Sequence, residues 1–239
     1  MRRLSLAFKN FGIILSSDQL ELFEQYLVLL HEWKSKVNLT SITEREKVIN
    51  LHFLDSLSVI VGLESEDLNK KTALDVGTGA GFPGIPLKIA FPQMQLNLLE
   101  SNQKKVSFLR VLVDKLGLSD VYFYHGRAEN FAHDFSLREQ FDYVFARSLA
   151  RLSVLSELTL PFLSSKGKAI MHKREPIENE LEDAQLPITI LGGSKPQIVP
   201  VKHPNLPDTS ILVIISKITS TPLNFPRRVG VPNKRPLKG

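Results

Sequence analysis

The chain of 239 residues contains no cysteine. This absence excludes disulfide bonds, cysteine-ligated zinc, iron–sulfur clusters and every mechanism that uses a cysteine nucleophile. The six histidines also include no closely spaced pair of the kind that binds metal ions. We therefore expect no metal site.

Long hydrophobic runs are absent as well. A membrane-spanning helix needs roughly 20 apolar residues, and the run at residues 211–215 is typical of the longest here. The chain begins Met1-Arg2-Arg3, as some signal peptides do, but Lys9 and Asn10 interrupt the apolar stretch that would follow. The sequence therefore predicts a cytoplasmic protein without membrane association.

Acidic residues are missing from the last twenty positions, which carry the whole net charge of +5. The basic residues of this segment are Arg227, Arg228, Lys234, Arg235 and Lys238. The other 219 residues hold 25 basic and 25 acidic side chains. Because prolines recur at positions 222, 226, 232 and 236, we predict that residues 220–239 form an extended basic arm without regular helix.

Two amphipathic helices are predicted before the first strand. Apolar residues recur at steps of three and four over residues 17–35 and again over residues 44–61. We expect residues 1–70 to form an N-terminal helical extension that packs on the core.

The pattern of apolar residues changes near Thr72, where short apolar runs begin to alternate with amphipathic segments. Strands are predicted at residues 73–76, 95–100, 121–124, 143–146 and 169–172, and this alternation predicts a mostly parallel sheet with helices on both faces. Two later β-rich runs, 187–201 and 210–218, predict an antiparallel pair at the sheet edge. Residues 71–219 are thus expected to form an α/β domain of Rossmann-like topology.

A glycine loop follows the first predicted strand, with the sequence Asp75-Val-Gly-Thr-Gly-Ala-Gly-Phe-Pro-Gly84. Counted from Gly79, its glycines fit a dinucleotide fingerprint; counted from Gly77, they fit the loop of S-adenosylmethionine enzymes. Asp75 favours S-adenosylmethionine, because its charge would repel a pyrophosphate. The antiparallel ending of the sheet favours the same donor, and a nicotinamide-dependent oxidoreductase stays the alternative.

Glu100 ends the second predicted strand, 19 residues beyond Gly81. In folds of this class an acid at that place reaches the ribose hydroxyls of the ligand. We therefore expect Glu100 to bind the donor.

The sequence also restricts which atoms could accept the methyl group. Methylation of pyrimidine C5 needs a thiolate adduct, which a chain without cysteine cannot supply. No Asp/Asn-Pro-Pro-aromatic motif follows the fourth strand, where Phe145-Ala-Arg147-Ser-Leu stands instead, and this argues against exocyclic amine methylation. A ring nitrogen such as guanine N7 needs no proton removed and can react by positioning alone, although composition does not choose it.

Several motifs together resemble the RsmG (GidB) family of bacterial 16S ribosomal RNA guanine-N7 methyltransferases, over nearly the whole chain. They are Asn38-Leu-Thr, His52-Phe-Leu-Asp-Ser56, the glycine loop continued through Ile-Pro-Leu87, Arg127-Ala-Glu129, Ala146-Arg147, and Phe225-Pro-Arg-Arg-Val-Gly-Val-Pro-Asn-Lys-Arg-Pro-Leu237. The Gly-Phe-Pro-Gly-Ile-Pro extension of the loop and the Pro-Arg-Arg-x-Gly-x-Pro-Asn-Lys tail are the most specific, since generic methyltransferases lack them.

The resemblance implies roles for individual residues. Gly77 and Phe82 would contact the donor, Ala128 and Glu129 would lie against its adenine, and Arg147 would stand between donor and acceptor. With Asp75, Gly79, Gly81 and Glu100 these residues form the expected donor site. The residues expected around the reaction or the RNA are Asn38, His52, Arg127, Arg147 and Lys173.

These observations predict a methyltransferase that acts, as a monomer, on 16S ribosomal RNA or the small ribosomal subunit. Two other functions stay open at this point. One is a small-molecule methyltransferase with the same fold; the other is a non-catalytic RNA-binding factor for ribosome assembly.

Overall fold

The structure is a computed structural model that describes residues 2–42, 44–63 and 66–238. Within these ranges the chain forms a seven-stranded sheet with the order β3-β2-β1-β4-β5-β7-β6. Its strands are β1 (Thr72–Val76), β2 (Gln95–Glu100), β3 (Val121–His125), β4 (Phe141–Arg147), β5 (Leu163–Arg174), β6 (Gln197–Pro200) and β7 (Ser210–Ser216). The first five strands run parallel, and β7 runs antiparallel to both β5 and β6. The predicted fold class, with its antiparallel edge, is confirmed.

Helices cover both faces of the sheet. They are α1 (Arg2–Lys9), α2 (Ser17–Trp33), α3 (Arg45–Val48), α4 (Asp55–Leu57), α5 (Gly84–Ala90), α6 (Gln103–Lys115), α7 (Ala128–Phe131), α8 (Leu152–Thr159), α9 (Glu178–Ile190) and α10 (Val231–Lys234). A π-helical segment, Ile49–Leu54, joins α3 to α4, and a 3₁₀ segment, Ser58–Gly62, continues α4. The sequence pattern predicted one helix over residues 44–61, and the structure has a chain of four short helical segments there.

The N-terminal helices and the sheet share one hydrophobic core. Phe23 and Tyr26 of α2 and Phe53 of the π-helical segment are fully buried, in the same cluster as Phe108 of α6 and Ile214 of β7. Helices α7, α8 and α9 cover a second cluster on the other face of the sheet. No helix in the described ranges is long and apolar enough to cross a membrane. The division at residues 70 and 219 stays a prediction; Met1, Thr43, Glu64, Ser65 and Gly239 lie outside the described residues.

The prediction of a strand from residue 187 is wrong. Helix α9 extends to Ile190 with Pro187 inside it, and the following strand, β6, is four residues long. Ala184 and Ile188, one helical turn apart, are buried side by side in the second core. This burial outweighs the hydrogen bond that Pro187 removes from the helix.

The predicted arm contains one helical turn and packs along the body of the protein. Thr221, Pro226 and Pro232 are buried against the body of the protein. Residues 231–234 form the single turn α10, with Pro232 in its first turn, where a missing N–H costs no intrahelical hydrogen bond.

The sheet order determines where a ligand would bind. Strands β1 and β4 are neighbours, although β2 and β3 separate them in sequence. In open α/β sheets such a reversal leaves a crevice at the carboxyl ends of the strands. The glycine loop after β1 and Arg147 at the end of β4 both lie at this edge.

Candidate active site

The glycine loop between β1 and α5 forms the floor of the site. Gly77, Gly79 and Gly81 have φ angles of 68°, 62° and 102°, in the left-handed region that favours glycine. A Cβ at Gly81 would lie 2.7 Å from the hydroxyl oxygen of Tyr26, whereas at Gly79 the nearest atom of the described residues, the Gly77 carbonyl oxygen, would lie 3.9 Å away. The loop therefore packs tightly on α2 and has open space over Gly79.

Asp75 lies beneath this loop. Its side chain is fully buried, and Oδ2 accepts hydrogen bonds from the Thr78 hydroxyl at 2.7 Å and the Gly84 N–H at 2.8 Å. Among the described residues Oδ1 has no hydrogen-bond partner. Burial raises the pKa of Asp75 from 3.8 to about 6, although both hydrogen bonds oppose this shift. The structure thus places Asp75 where it holds the shape of the loop.

Glu100 connects the loop to the end of β2. Its Oε2 accepts from the Gly79 N–H at 3.0 Å and its Oε1 accepts from the Asn102 N–H at 2.7 Å. Each oxygen keeps a second lone pair for a further donor. The carboxylate is therefore oriented by the backbone, with capacity left for a ligand hydroxyl.

A cleft opens between the glycine loop, the loop after β3 and the loop after β4. It is lined by Val76, Gly77, Leu99, Ser101, Gly126, Arg127, Ala128, Glu129, Leu149, Leu158 and Asn233. Apolar walls with a few polar groups are typical of small-molecule sites, and here they lie next to backbone without side chains at Gly77 and Gly126. The cleft encloses about 60 Å³ in this structure, so it is the chemistry of its lining, and not its volume, that suits a nucleoside such as the adenosine of S-adenosylmethionine.

The predicted donor residues therefore come together, but not all of them face the cleft. Gly77, Ala128 and Glu129 line it, whereas Asp75, Gly79, Gly81, Glu100 and Arg147 do not. Phe82 is 5% exposed, and its ring stacks with the Tyr26 and His52 rings. Phe82 thus supports the loop from below.

Arg147 ties the end of β4 to the helical extension. Its Nη1 donates to the Leu51 carbonyl and to Asp55 Oδ2, both at 3.0 Å, and its Nη2 lies 3.1 Å from His52 Nδ1. Its guanidinium carbon lies 4.9 Å from the centre of the Phe82 ring. The side chains of Arg147 and Asp55 are each 10% exposed, so this is a nearly buried ion pair.

His52 is held in its neutral form. Burial, and then the nearby positive charge of Arg147, lower the pKa of His52 from 6.5 to about 4. His52 Nδ1 lies 3.1 Å from both Arg147 Nη2 and the Leu51 carbonyl oxygen, and Nε2 lies 2.7 Å from the Thr40 hydroxyl, so both ring nitrogens have hydrogen-bond partners. With both nitrogens occupied, His52 acts in this structure as a positioning residue.

A second cavity, of about 210 Å³, lies beside the cleft. Arg147, His172, Lys173 and Arg174 are among its lining residues. Lys173 Nζ donates to Glu180 Oε2 at 2.5 Å and to the Ala150 carbonyl at 2.9 Å. The carboxylate offsets the Lys173 charge, so Lys173 holds the loop after β4 to α9.

The other two residues predicted around the reaction lie apart from this cavity. Arg127 is exposed at the mouth of the cleft. Asn38 lines a separate cavity of about 620 Å³ between α2 and residues 34–42, which shares no lining residue with the cleft. Thr40, two residues along, provides the link from this loop to His52.

Sequence reasoning missed several functional contacts. Asp55 follows His52 by three residues, which was a signal for a shared helix face, but its partner Arg147 is 92 residues away. Nothing local marked Tyr26 as the donor to the Ala80 carbonyl, or Asn233 as part of the cleft.

The glycine loop, the acid at the end of β2 and the single reversed strand β7 define the S-adenosylmethionine-dependent methyltransferase fold. Solved structures agree. A mutant MtNAS in complex with S-adenosylmethionine superimposes with a TM-score of 0.56 at 17% identity, over 90% of this chain and 78% of its own. A predicted O-methyltransferase from Agrobacterium tumefaciens gives 0.54 at 17% identity, over 70% and 82%.

The sequence comparison is more specific. The family model described as GidB, rRNA small subunit methyltransferase G, matches residues 19–209. Ribosomal RNA small subunit methyltransferase G of Streptococcus pyogenes serotype M2 is 44% identical over 95% of this chain and 94% of its own. The protein of the same name from Lactococcus lactis subsp. cremoris is 43% identical over 97% of both chains. The chain belongs to this methyltransferase family, as the resemblance implied.

Proposed function

We propose that this protein transfers the methyl group of S-adenosylmethionine to N7 of a specific guanine in 16S ribosomal RNA. The observation that carries the proposal is the donor-type cleft at the switch point of the sheet, in a chain of the rRNA small subunit methyltransferase G family. S-adenosylmethionine supplies an electrophilic methyl group when bound. Gly77, Gly79, Glu100, Ala128 and Glu129 would hold it, while Asp75, Gly81 and Phe82 would keep the loop in shape.

The state of His52 supports a ring nitrogen as the acceptor. Guanine N7 carries an in-plane lone pair, so its methylation releases no proton and needs no general base. His52 is bonded at both nitrogens, and its pKa of about 4 keeps it neutral near pH 7. The cluster around Arg147 therefore suits a reaction that depends on positioning.

We propose that exposed cations bind the RNA backbone. Arg127 lies exposed at the cleft mouth, and the arm exposes Arg228, Lys234, Arg235 and Lys238. Phosphate contacts release counterions and make binding salt-dependent. Changing Arg228, Lys234 and Arg235 together to Gln should reduce the slope of log K against log salt by about 2, at roughly 0.7 per contact with single strands. An unchanged slope would show that the arm does not bind RNA.

The acceptor atom can be tested directly. The protein would be incubated with labelled S-adenosylmethionine and one of three substrates. These are 16S ribosomal RNA transcribed with GTP, the same RNA transcribed with 7-deaza-GTP, and small subunits from a strain lacking this gene. Because 7-deazaguanine carries C–H in place of N7, we expect label in the GTP transcript or in the small subunits, and none in the 7-deaza-GTP transcript. Cleavage selective for N7-methylguanine should then locate one nucleotide.

Other outcomes would redirect the proposal. Label in both transcripts would mean a different acceptor atom. No label in any RNA, with S-adenosylhomocysteine still bound, would favour a small-molecule methyltransferase or a non-catalytic assembly factor.

A matched pair of variants tests the role of Arg127. Arg127→Ala should lower kcat/KM for RNA about tenfold, the loss of one charge-assisted phosphate contact. Arg110→Ala should change it less than twofold, because that exposed guanidinium of α6 lies over the Phe123 ring of β3 and does not line the cleft.

We further propose that the protein works in the cytoplasm, as a monomer and without a metal ion. A ribosomal RNA substrate supports the first of these. Light scattering tests the monomer, and transfer assayed in EDTA tests the independence from metal.

A further inference from the structure

The C-terminal arm is held along the body of the protein by a buried guanidinium. Arg138 is 5% exposed and donates to the carbonyls of Thr221 at 2.7 Å, Phe225 at 2.8 Å and Pro222 at 3.1 Å. All three acceptors are backbone carbonyls, so Arg138 fixes the position of the arm's backbone and does not depend on the identity of its side chains. The start of the arm is therefore part of the folded domain.

A second attachment lies farther along the arm, at α8. Arg227 forms a forked pair with Glu157, with Nη2 2.6 Å from Oε2 and Nε 2.9 Å from Oε1. The Glu157 side chain is 1% exposed and also accepts from the Arg227 N–H at 2.7 Å. Because a buried carboxylate without its partner is costly, Arg227 is committed to this contact and is not free to bind phosphate.

The third attachment reaches the donor cleft itself. Glu129, one of the residues that line the cleft, accepts from the Gly230 N–H at 2.9 Å. The chain then turns into α10, and Asn233 lines the same cleft beside Gly77, Gly126 and Leu158. The arm thus forms a wall of the cleft.

We propose that Asn233 is a donor-binding residue and that its side-chain amide hydrogen-bonds the adenosine of S-adenosylmethionine. The inference rests on the proposed donor. An amide offers two donors and one acceptor oxygen, which complement an adenine edge that presents one donor and one acceptor. Asn233 adds the only side-chain amide among the residues lining the cleft.

This role differs from that of an arm that binds RNA alone. An arm of that kind would affect RNA affinity and its salt dependence, and would leave donor binding unchanged. An arm that forms the cleft wall makes donor affinity depend on residues at the far end of the chain. The two roles belong to different side chains. Asn233 lines the cleft, whereas its neighbours Lys234 and Arg235 are exposed cations of the kind that bind RNA.

The test is calorimetric titration of the full-length protein with S-adenosylhomocysteine, in the absence of RNA. Asn233→Ala should raise Kd about tenfold, the loss of roughly one good hydrogen bond to a ligand. Asn224→Ala is the matched control, since Asn224 is an exposed amide on the same arm that does not line the cleft. Asn224→Ala and Lys234→Ala should both stay within twofold of wild type, and all three variants should keep the wild-type Tm because these side chains are exposed.

Two outcomes would overturn the inference, and they are distinguishable. If wild type binds S-adenosylhomocysteine and Asn233→Ala binds it within twofold, the role of Asn233 fails while the proposed function stands. If wild type itself does not bind, the proposed donor fails and the inference fails with it. A loss in Asn233→Ala together with an absence of RNA methylation by wild type would support the role of Asn233 and refute the proposed reaction.

Discussion

Removing Arg147 should destabilise the protein far more than a typical surface substitution would. In Arg147→Ala the Asp55 carboxylate, 10% exposed, loses its cationic partner, and the Leu51 carbonyl loses a donor. Breaking a buried pair from one side typically costs about 3–5 kcal/mol. The Phe82 ring also loses its cation, an effect of about 0.5–2 kcal/mol. We expect a total loss of about 5 kcal/mol, and a smaller loss in Arg147→Lys, which keeps the charge without the fork.

Urea unfolding with a double-mutant cycle measures this effect. The variants are Arg147→Ala, Asp55→Asn and the two combined, followed by fluorescence and by circular dichroism. Because the second change removes the charge that the first leaves unpaired, the double variant should be more stable than the sum of the single losses predicts, by about 2 kcal/mol or more. The reasoning would be refuted if the two losses added within about 0.5 kcal/mol, or if Arg147→Ala cost less than 1 kcal/mol, as a surface substitution does.

Three further perturbations follow from the site. Gly77→Ala should weaken S-adenosylhomocysteine binding at least tenfold by titration, since φ is +68° and the new Cβ would lie 2.7 Å from Leu149 Cδ1; binding within twofold of wild type would contradict this. Asp75→Asn should change the pH dependence of the unfolding free energy. In the folded wild type the pKa of Asp75 is about 6, above its ordinary value of 3.8. The stabilisation from this carboxyl group is therefore complete below about pH 4 and is lost as the pH rises through 6. Between about pH 4 and pH 6 the unfolding free energy of the variant, measured by urea titration, should therefore increase relative to that of wild type by about 3 kcal/mol, at 1.4 kcal/mol per pKa unit. A difference that does not change with pH would refute this prediction. Tyr26→Phe should cost about 1–3 kcal/mol by leaving the Ala80 carbonyl of the loop without its donor; an equally stable variant would show that the hydroxyl is dispensable.

Local sequence signals predicted the parts of the fold that a few neighbouring residues specify. The apolar spacing over residues 17–35 predicted α2, which is observed at Ser17–Trp33. The alternation of short apolar runs with amphipathic segments predicted the parallel strands and the antiparallel end of the sheet. The first pattern reflects a helix buried on one face, and the second reflects short strands that are buried on both faces of the sheet.

The same reasoning failed where packing with distant residues outweighs local preference. The β-rich run from residue 187 predicted a strand, and the prolines of the tail predicted the absence of regular helix, yet Pro187 and Pro232 both lie within helices. Pro187 sits in a helix held by burial against α8, and Pro232 sits in a first turn that needs no N–H from it. The arm was predicted to be extended because its prolines disfavour regular helix and strand, and nothing in the local sequence indicated that Arg138 and Glu157 bind it along the body of the domain.

The sequence by itself determined the fold class, the glycine loop of the donor site and the family to which the chain belongs, because each is encoded in contiguous residues or in their periodicity. Only the tertiary structure decided that Arg147 pairs with Asp55, that His52 is neutral and bonded at both nitrogens, and that Asn233 completes the cleft. Arg147 lies 92 positions from Asp55 and 95 from His52, and Asn233 lies 156 positions from Gly77. The free energy that selects these contacts comes from burial and pairing after the sheet and helices have assembled.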